Sequence, residues 1–198
     1  MKIYKIIERT SVEGPGERFC IWVQGCSRHC EGCFAKETWD FSSGEEYNVN
    51  ELFEMIKAQK SIEGVTFLGG EPFEQSDELL KLSKLIKKIN LSIVCFTGFK
   101  IEELKSKNNK IIDELLENID LLIDGGFEKE NFDLSRPWVG SSNQRYIFLS
   151  DKYNPDIITQ YKNKIEMRIN KNGEVVINGM GDFESLGNAF IYNQRKIL

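Results

Sequence analysis

The sequence lacks the features that mark membrane, secreted or nucleic-acid-binding proteins. No apolar run approaches the roughly 20 residues that cross a bilayer, and the N-terminal residues 1–5 do not form the apolar stretch of a signal peptide. The formal net charge of −5 does not favour a nucleic-acid partner. Internal repeats and low-complexity tracts are also absent. We therefore expect a cytoplasmic protein that binds neither nucleic acid nor a membrane.

What the chain does have is the composition of an ordinary globular protein. Its 198 residues are 40% hydrophobic and 29% charged, enough for one domain with a sizeable core. Five cysteines in a cytosolic chain do not indicate a disulfide framework. Three of them fall within residues 26–33, which indicates a metal ion or a cluster.

Apolar runs alternate with helical patterns along the first 150 residues. Almost uninterrupted apolar residues predict strands buried on both faces of a parallel sheet at 19–23, 65–68, 91–96 and 121–123. Between them, helices are predicted at 51–59 with Asn50 as cap, from Ser76 or Asp77 onward, and across 101–116, where Asn108 and Asn109 weaken the pattern. This alternation predicts right-handed βαβ units and an α/β fold.

The last quarter of the chain has a different pattern. Another strand is predicted at 145–149. Apolar segments at 165–169 and 174–177 flank Asn172-Gly173, a dipeptide that favours a type I′ hairpin turn. We expect a core over residues 1–153 and, over 154–198, an extension that contains this hairpin and packs on the core.

The main chemical signal is the C-x3-C-x2-C spacing of Cys26, Cys30 and Cys33. Three thiolates can ligate three irons of a [4Fe–4S] cluster, and complete cysteine ligation requires four. Because no fourth cysteine is close in sequence, one iron could remain open to another ligand. His29 could instead complete a Cys3His zinc site, although it adjoins Cys30 and no second ligand pair exists. Unligated thiols are the third alternative.

The same spacing after a first strand resembles the radical S-adenosylmethionine (SAM) superfamily. Residues 14–18, the cysteine segment and residues 34–39 together resemble the activating enzymes of anaerobic ribonucleotide reductase. That subgroup also has a glycine before the third cysteine and an aromatic residue after it, as Gly32 and Phe34 do here. The resemblance implies an incomplete (β/α) barrel and a [4Fe–4S] cluster on Cys26, Cys30 and Cys33. It also implies SAM contacts from Gly32, Cys33 and Phe34.

Further motifs of the resemblance follow the predicted strands. Gly69-Gly70-Glu71 follows the second strand, and although such a tripeptide can be an ordinary turn, the resemblance implies that it binds the amino group of SAM. Thr97 follows the third strand and could bond the cofactor or cap the next helix. Asp124 ends the fourth, where it is expected to contact SAM or the substrate. Gly126 departs from the pattern, because the family has a lysine there.

The resemblance covers residues 1 to about 150 and ends with Trp138–Arg145, which is similar to a Trp-Arg-Gly-Ser-x-Asn-Gln motif. It implies an enzyme that makes a glycyl radical on a partner such as anaerobic ribonucleotide reductase, with a flavodoxin or ferredoxin as electron donor. Two alternatives remain: a radical SAM enzyme acting directly on a small molecule or peptide, and a non-catalytic metal-binding interaction module. Cys20 and Cys95 lie in apolar strands and are expected to be buried rather than ligands.

Overall fold

A seven-stranded mixed sheet organises the computed structural model, which describes residues 1–173 and 175–181. Its strands are β1 (Lys2–Thr10), β2 (Arg18–Val23), β3 (Glu45–Glu46), β4 (Gly64–Gly69), β5 (Ser92–Phe96), β6 (Leu121–Asp124) and β7 (Arg145–Phe148). They lie in the order β3-β1-β2-β4-β5-β6-β7, and β2, β4, β5 and β6 are parallel. The predicted α/β class is confirmed, and the described sheet is open because β3 and β7 end it on opposite sides.

Four helices connect the parallel strands: α1 (Val49–Ala58), α2 (Ser76–Lys88), α3 (Ile101–Ser106) and α4 (Lys110–Asn118). Side chains of β2 alternate between two apolar clusters, since successive residues of a strand point to opposite faces. Phe19 and Ile21 pack with the helices in the main core, whereas Cys20 and Trp22 belong to a cluster on the other face. Side chains on both faces of β2 are therefore buried.

The helix termini differ from the prediction at two places. Asn48, not Asn50, caps α1, because its side chain accepts the N–H of Glu51 at 2.9 Å while the Glu51 carboxylate accepts the N–H of Asn48. The predicted helix over 101–116 is two helices, because Asn108 has a φ of +46° that an α-helix cannot contain. Asn109 then caps α4 through the N–H of Ile111.

The predicted C-terminal hairpin is present as β8 (Ile165–Ile169) and β9 (Val175–Gly179), after a short helix, α5 (Ile157–Gln160). Ile169 pairs with Val175, so more than two residues separate the two strands. The type I′ prediction at Asn172-Gly173 is therefore wrong, because that turn closes a two-residue loop. The strands β1 and β3 had no counterpart in the prediction.

The hairpin packs against the start of the chain. The buried Glu13 carboxylate accepts the N–H of Gly179 at 2.7 Å and the side-chain amide of Asn178 at 3.3 Å. The Asn178 amide also donates to the Thr10 hydroxyl. No helix in the described part of the chain is long and apolar enough to cross a membrane.

Candidate functional site

A cavity of about 550 Å³ opens where the parallel strands end. Ligands of open α/β sheets bind at this edge. The structure brings most of the sequence-predicted site residues to its walls: Cys26, Cys30, Cys33, Phe34, Gly69, Gly70, Glu71 and Thr97. The three thiols and the carboxyl group of Glu71 thus line one cavity, although the segments that carry them are far apart in sequence.

The cysteine loop begins directly after β2 and is held by backbone hydrogen bonds. The N–H of Gly25 donates to the carbonyl of Thr38 at 2.7 Å, and that of Cys26 donates to the carbonyl of Trp39 at 3.2 Å. Within the loop, the N–H of Cys33 donates to the carbonyl of Cys30 at 3.1 Å. These bonds fix the path of the loop without occupying the sulfur atoms.

The three thiols differ in their environments. Cys26 is buried, and burial raises the pKa of its thiol above the ordinary value, while backbone N–H groups of Arg28 and His29 act in the opposite direction. Cys30 and Cys33 are half-buried, and the Cys33 sulfur accepts the N–H of Ala35 at 3.4 Å. All three are free cysteines and line the cavity. This donor set fits an iron–sulfur cluster, in which each thiolate binds a different iron.

A zinc site fits this loop less well. His29 is exposed and stacks on Trp39, with ring centroids 4.6 Å apart. Within residues 1–173 and 175–181, no three His, Cys, Asp or Glu side chains converge as the ligands of one metal ion do. A zinc ion requires its ligands within about 2.0–2.3 Å of a single atom.

The Gly69-Gly70-Glu71 loop contacts the cysteine loop closely. The N–H of Gly70 donates to the carbonyl of Val23, and that of Glu71 donates to the carbonyl of Gly25. A Cβ atom at residue 70 would lie 2.3 Å from the Gly25 oxygen, so only glycine fits there. Glycine at 69 is needed as well, because its φ is +104°. The two glycines therefore allow the backbone of this loop to lie close to that of the cysteine loop.

Glu71 is buried at the cavity wall, with its exposed fraction at 1%. Its carboxylate accepts the hydroxyl of Thr97 at 2.8 Å and the N–H groups of Phe73 and Gly98 at 3.0 and 2.8 Å. Burial raises its pKa to about 7, against these three hydrogen bonds. Thr97 also accepts the N–H of Phe99, so its hydroxyl orients Glu71 and its own loop. The cap position of α3 is Lys100, not Thr97.

Comparisons with known proteins agree with this site. A family described as "4Fe-4S single cluster domain" matches residues 12–147. The anaerobic ribonucleoside-triphosphate reductase-activating protein of Enterobacteria phage T4 is 34% identical over 140 residues, which are 68% of this chain and 85% of that protein. The chain belongs to this activating-protein family. The Escherichia coli K12 protein of that name is also 34% identical, over 145 residues, covering 67% of this chain and 89% of the relative.

A further relative of the same name, from Pasteurella multocida, is 32% identical over 142 residues, which are 67% of this chain and 88% of that protein. Among solved structures, QueE from Escherichia coli aligns with a TM-score of 0.41 at 23% identity, covering 49% of this chain and 52% of QueE. The three named relatives confirm the resemblance to the activating-protein family.

Asp124 ends the fourth parallel strand, as the sequence predicted, and its contact with SAM or the substrate stays a prediction. The residue ends β6, but its carboxylate is fully buried outside the cavity walls. It accepts two hydrogen bonds from the guanidinium of Arg145, at 2.6 and 2.8 Å, and the N–H of Ile101 at 2.8 Å. These contacts join β6, β7 and the start of α3.

Gly32 and Phe34 lie at the rim of the site. Phe34 is 55% exposed and meets Phe127 edge-on at 5.5 Å. Gly32 has a φ of +76°, and a Cβ atom there would lie 3.1 Å from the Phe127 ring. Outside the site, Cys20 and Cys95 are completely buried, as expected, and burial raises the pKa of both thiols.

Sequence reasoning missed several contributors to the cavity walls, among them Arg28, Glu13 and the hairpin segment 177–181. Arg28 carried a signal, since it lies between the first two cysteines of the motif. Nothing in the sequence indicated that the hairpin lines the cavity. It follows the matched residues 12–147, and its position depends on contacts with Thr10 and Glu13.

Proposed function

We propose that this protein is a radical SAM oxidoreductase that installs a glycyl radical on a partner enzyme, such as an anaerobic ribonucleotide reductase. The observation that carries the proposal is the meeting of Cys26, Cys30, Cys33 and the Gly69–Glu71 loop around one cavity. Membership in the activating-protein family supports the same conclusion.

The chain's own residues provide binding and orientation. Cys26, Cys30 and Cys33 would hold three irons of a [4Fe–4S] cluster and leave the fourth for SAM. The bound cluster and SAM supply one-electron chemistry: reductive cleavage of the sulfonium to methionine and a 5′-deoxyadenosyl radical. Glu71 is held by hydrogen bonds from Thr97 and Gly98, and its carboxylate would accept the ammonium of SAM. The close packing of Gly70 keeps Glu71 beside the cysteine loop.

Several broader expectations belong to this proposal. We infer that the open sheet is an incomplete (β/α) barrel, with residues 1–153 as core and 154–198 as an extension packed on it. The exposed rim at Phe34 would face the incoming partner. A flavodoxin or ferredoxin would supply the electron, and the cytoplasm is the expected location.

The direct test is anaerobic reconstitution followed by addition of dithionite and SAM. The proposal predicts 5′-deoxyadenosine and methionine in equal amounts. Addition of a glycyl-radical reductase should give a protein radical visible by electron paramagnetic resonance, which disappears when the acceptor glycine is replaced by alanine. A fully loaded cluster that gives no 5′-deoxyadenosine would instead favour a non-catalytic module.

Cys30→Ala tests the ligand assignment, with Cys95→Ala as the matched control. We expect Cys30→Ala to lose the cluster absorbance and all SAM cleavage. Cys95→Ala should keep both, because that thiol is buried in the core away from the cavity. Retained cleavage in Cys30→Ala would reject Cys30 as a ligand.

One observation favours a second candidate, a radical SAM enzyme acting directly on a small molecule or peptide. Residues 177–181 of the extension line the cavity together with the cysteines. SAM cleavage that is fast without any reductase, together with no radical on the reductase, would support this candidate over the first.

A further inference from the structure

Arg28 differs from every other arginine that the structure describes. Its guanidinium lines the cavity and makes one ion pair with Glu103, at 3.7 Å, and no hydrogen bond to any described residue. By contrast, the remaining described arginines all donate hydrogen bonds: Arg9, Arg18, Arg136, Arg145 and Arg168. A guanidinium has five N–H donors, so Arg28 keeps most of its capacity for a ligand.

The position of Arg28 is set by its neighbours. Its guanidinium carbon lies 4.8 Å from the Phe99 ring centroid, and its aliphatic chain passes Gly98, where a Cβ atom would meet its Cγ at 3.1 Å. Cation–π contact with Phe99 fixes the plane of the group without using its N–H donors. Arg28 is therefore oriented in advance at the cavity wall.

The Glu71 carboxylate carries the opposite charge, and it lies on the other side of Gly98 from Arg28. A Cβ atom at Gly98 would lie 3.5 Å from Arg28 Nε and 3.5 Å from Glu71 Oε2. The two side chains nevertheless form no ion pair with each other within 4.0 Å among the described residues. A carboxylate and a guanidinium that flank one small space match the ammonium and carboxylate of an α-amino acid.

Gly126 leaves the space beside Arg28 without a side chain. A Cβ atom at residue 126 would lie 3.2 Å from the Cys30 sulfur and 3.9 Å from Arg28 Nη2. A side chain at residue 126 would thus begin beside the guanidinium of Arg28, which belongs to the cysteine loop.

We propose that Arg28 binds the carboxylate of the methionine moiety of SAM and supplies the positive charge from the cysteine loop. The proposal rests on the proposed function, because it takes SAM as the ligand of this cavity. Glu71 would bind the ammonium of SAM, and Arg28 would bind its carboxylate. The two side chains would thus recognise both charged groups of the methionine moiety. An arginine suits this task because its planar fork can bond both oxygens of a carboxylate.

The test compares two ligands that differ only in the carboxylate: SAM and its decarboxylated analogue. Binding to the reconstituted, unreduced protein is measured by equilibrium dialysis, so that no turnover occurs. We expect Arg28→Gln to weaken SAM binding by about 10- to 100-fold and to leave binding of the analogue unchanged. Arg9→Gln is the matched control, because Arg9 is an exposed arginine outside the cavity.

A second variant tests the position of the charge. In Arg28→Gln/Gly126→Lys, a cation returns from residue 126, and the 3.2 Å approach to the Cys30 sulfur requires only a small local shift. We expect this double variant to recover most of the lost SAM affinity, with iron content unchanged.

The outcomes distinguish failure of the proposed function from failure of the role proposed for Arg28. Wild-type protein with a full cluster that binds no SAM would overturn the proposed function. Wild-type protein that binds SAM, with Arg28→Gln equal to it, would overturn only the role of Arg28. Equal loss of affinity for SAM and for the analogue would also overturn it, because the carboxylate would then not be the group that Arg28 contacts.

Discussion

At the residue scale, burial of the Glu71 carboxyl group makes the site sensitive to pH. Burial raises the pKa of Glu71 from about 4.5 to about 7. Between these values the folded protein keeps a proton that the unfolded chain has released. Folding stability therefore declines as pH rises through this window and levels off above it.

We predict that this decline is specific to Glu71. From pH 4.5 to 7, the free energy of unfolding of the cluster-free wild type should fall by up to about 3 kcal/mol relative to Glu71→Gln. Urea denaturation of both proteins under anaerobic, reducing conditions at several pH values measures the difference. Parallel pH profiles would show that the Glu71 carboxyl does not titrate in this range.

The electrostatics of Asp124 follow a different principle from those of Glu71. Both carboxylates are buried, but Asp124 has the Arg145 guanidinium beside it, and Arg145 also contacts Glu102 at 2.7 Å. The sequence placed both acids at strand ends. Glu71 lines the cavity, whereas Asp124 bonds Arg145 of β7. Arg145 lies 21 residues further along the chain, so the sequence around Asp124 does not reveal this contact.

Helix α1 shows how local capping is decided at the element scale. The reciprocal hydrogen bonds of Asn48 and Glu51 form a capping box, whereas Asn50 lies inside the helix. We predict that Asn48→Ala lowers the free energy of unfolding by about 1 kcal/mol.

The matched control is Asn50→Ala. Alanine has a higher helix propensity than asparagine, so this variant should be neutral or more stable by up to about 0.7 kcal/mol. Thermal or urea denaturation of both variants measures the difference. Equal destabilisation by the two substitutions would contradict the assigned cap.

The β8–β9 hairpin depends on one acceptor, Glu13, for its attachment at the cavity side. Replacement of Glu13 by alanine would leave the N–H of Gly179 and the Asn178 amide short of a partner, at a cost of about 1–3 kcal/mol. We predict faster hydrogen exchange across 165–179 in Glu13→Ala and unchanged protection in β4 and β5.

Glu17→Ala serves as the control for the hairpin, because Glu17 is a half-exposed acid of the same loop that pairs with Arg9. Its exchange pattern should match that of the wild type. Faster exchange spread evenly over the whole protein in Glu13→Ala would indicate global destabilisation instead of hairpin detachment.

Arg18 connects distant parts of the chain at the scale of the whole molecule. It is completely buried, and its guanidinium donates to the carbonyls of Pro15, Val65 and Ser92. It also contacts the hydroxyl of Tyr153, which itself bonds Ser92. The N-terminal loop, three strands and the start of the C-terminal region therefore share one hydrogen-bonded centre.

We predict that Arg18→Met destabilises the protein by several kcal/mol, because it leaves buried acceptors without donors. Tyr153→Phe should cost about 1 kcal/mol, since Ser92 and Arg18 retain other partners. Urea unfolding measures both, with one transition and an unchanged slope expected for each. Wild-type stability in Arg18→Met would show that the network contributes little to folding.

The sequence alone determined the chemistry available to this protein and the kind of scaffold that carries it. The cysteine spacing and the strand–helix alternation are local patterns, because ligand type and residue periodicity can be read within a few residues. For the same reason the strand cores of β2, β4, β5 and β6 agreed with the prediction to within one or two residues.

Only the tertiary structure decided which side chains surround the cavity. It turned Asp124 toward Arg145, set Arg28 and Glu71 on either side of Gly98, and brought residues 177–181 to the wall. Each of these placements depends on contacts between segments far apart in sequence. Their geometry follows from packing and strand register, which no local pattern specifies.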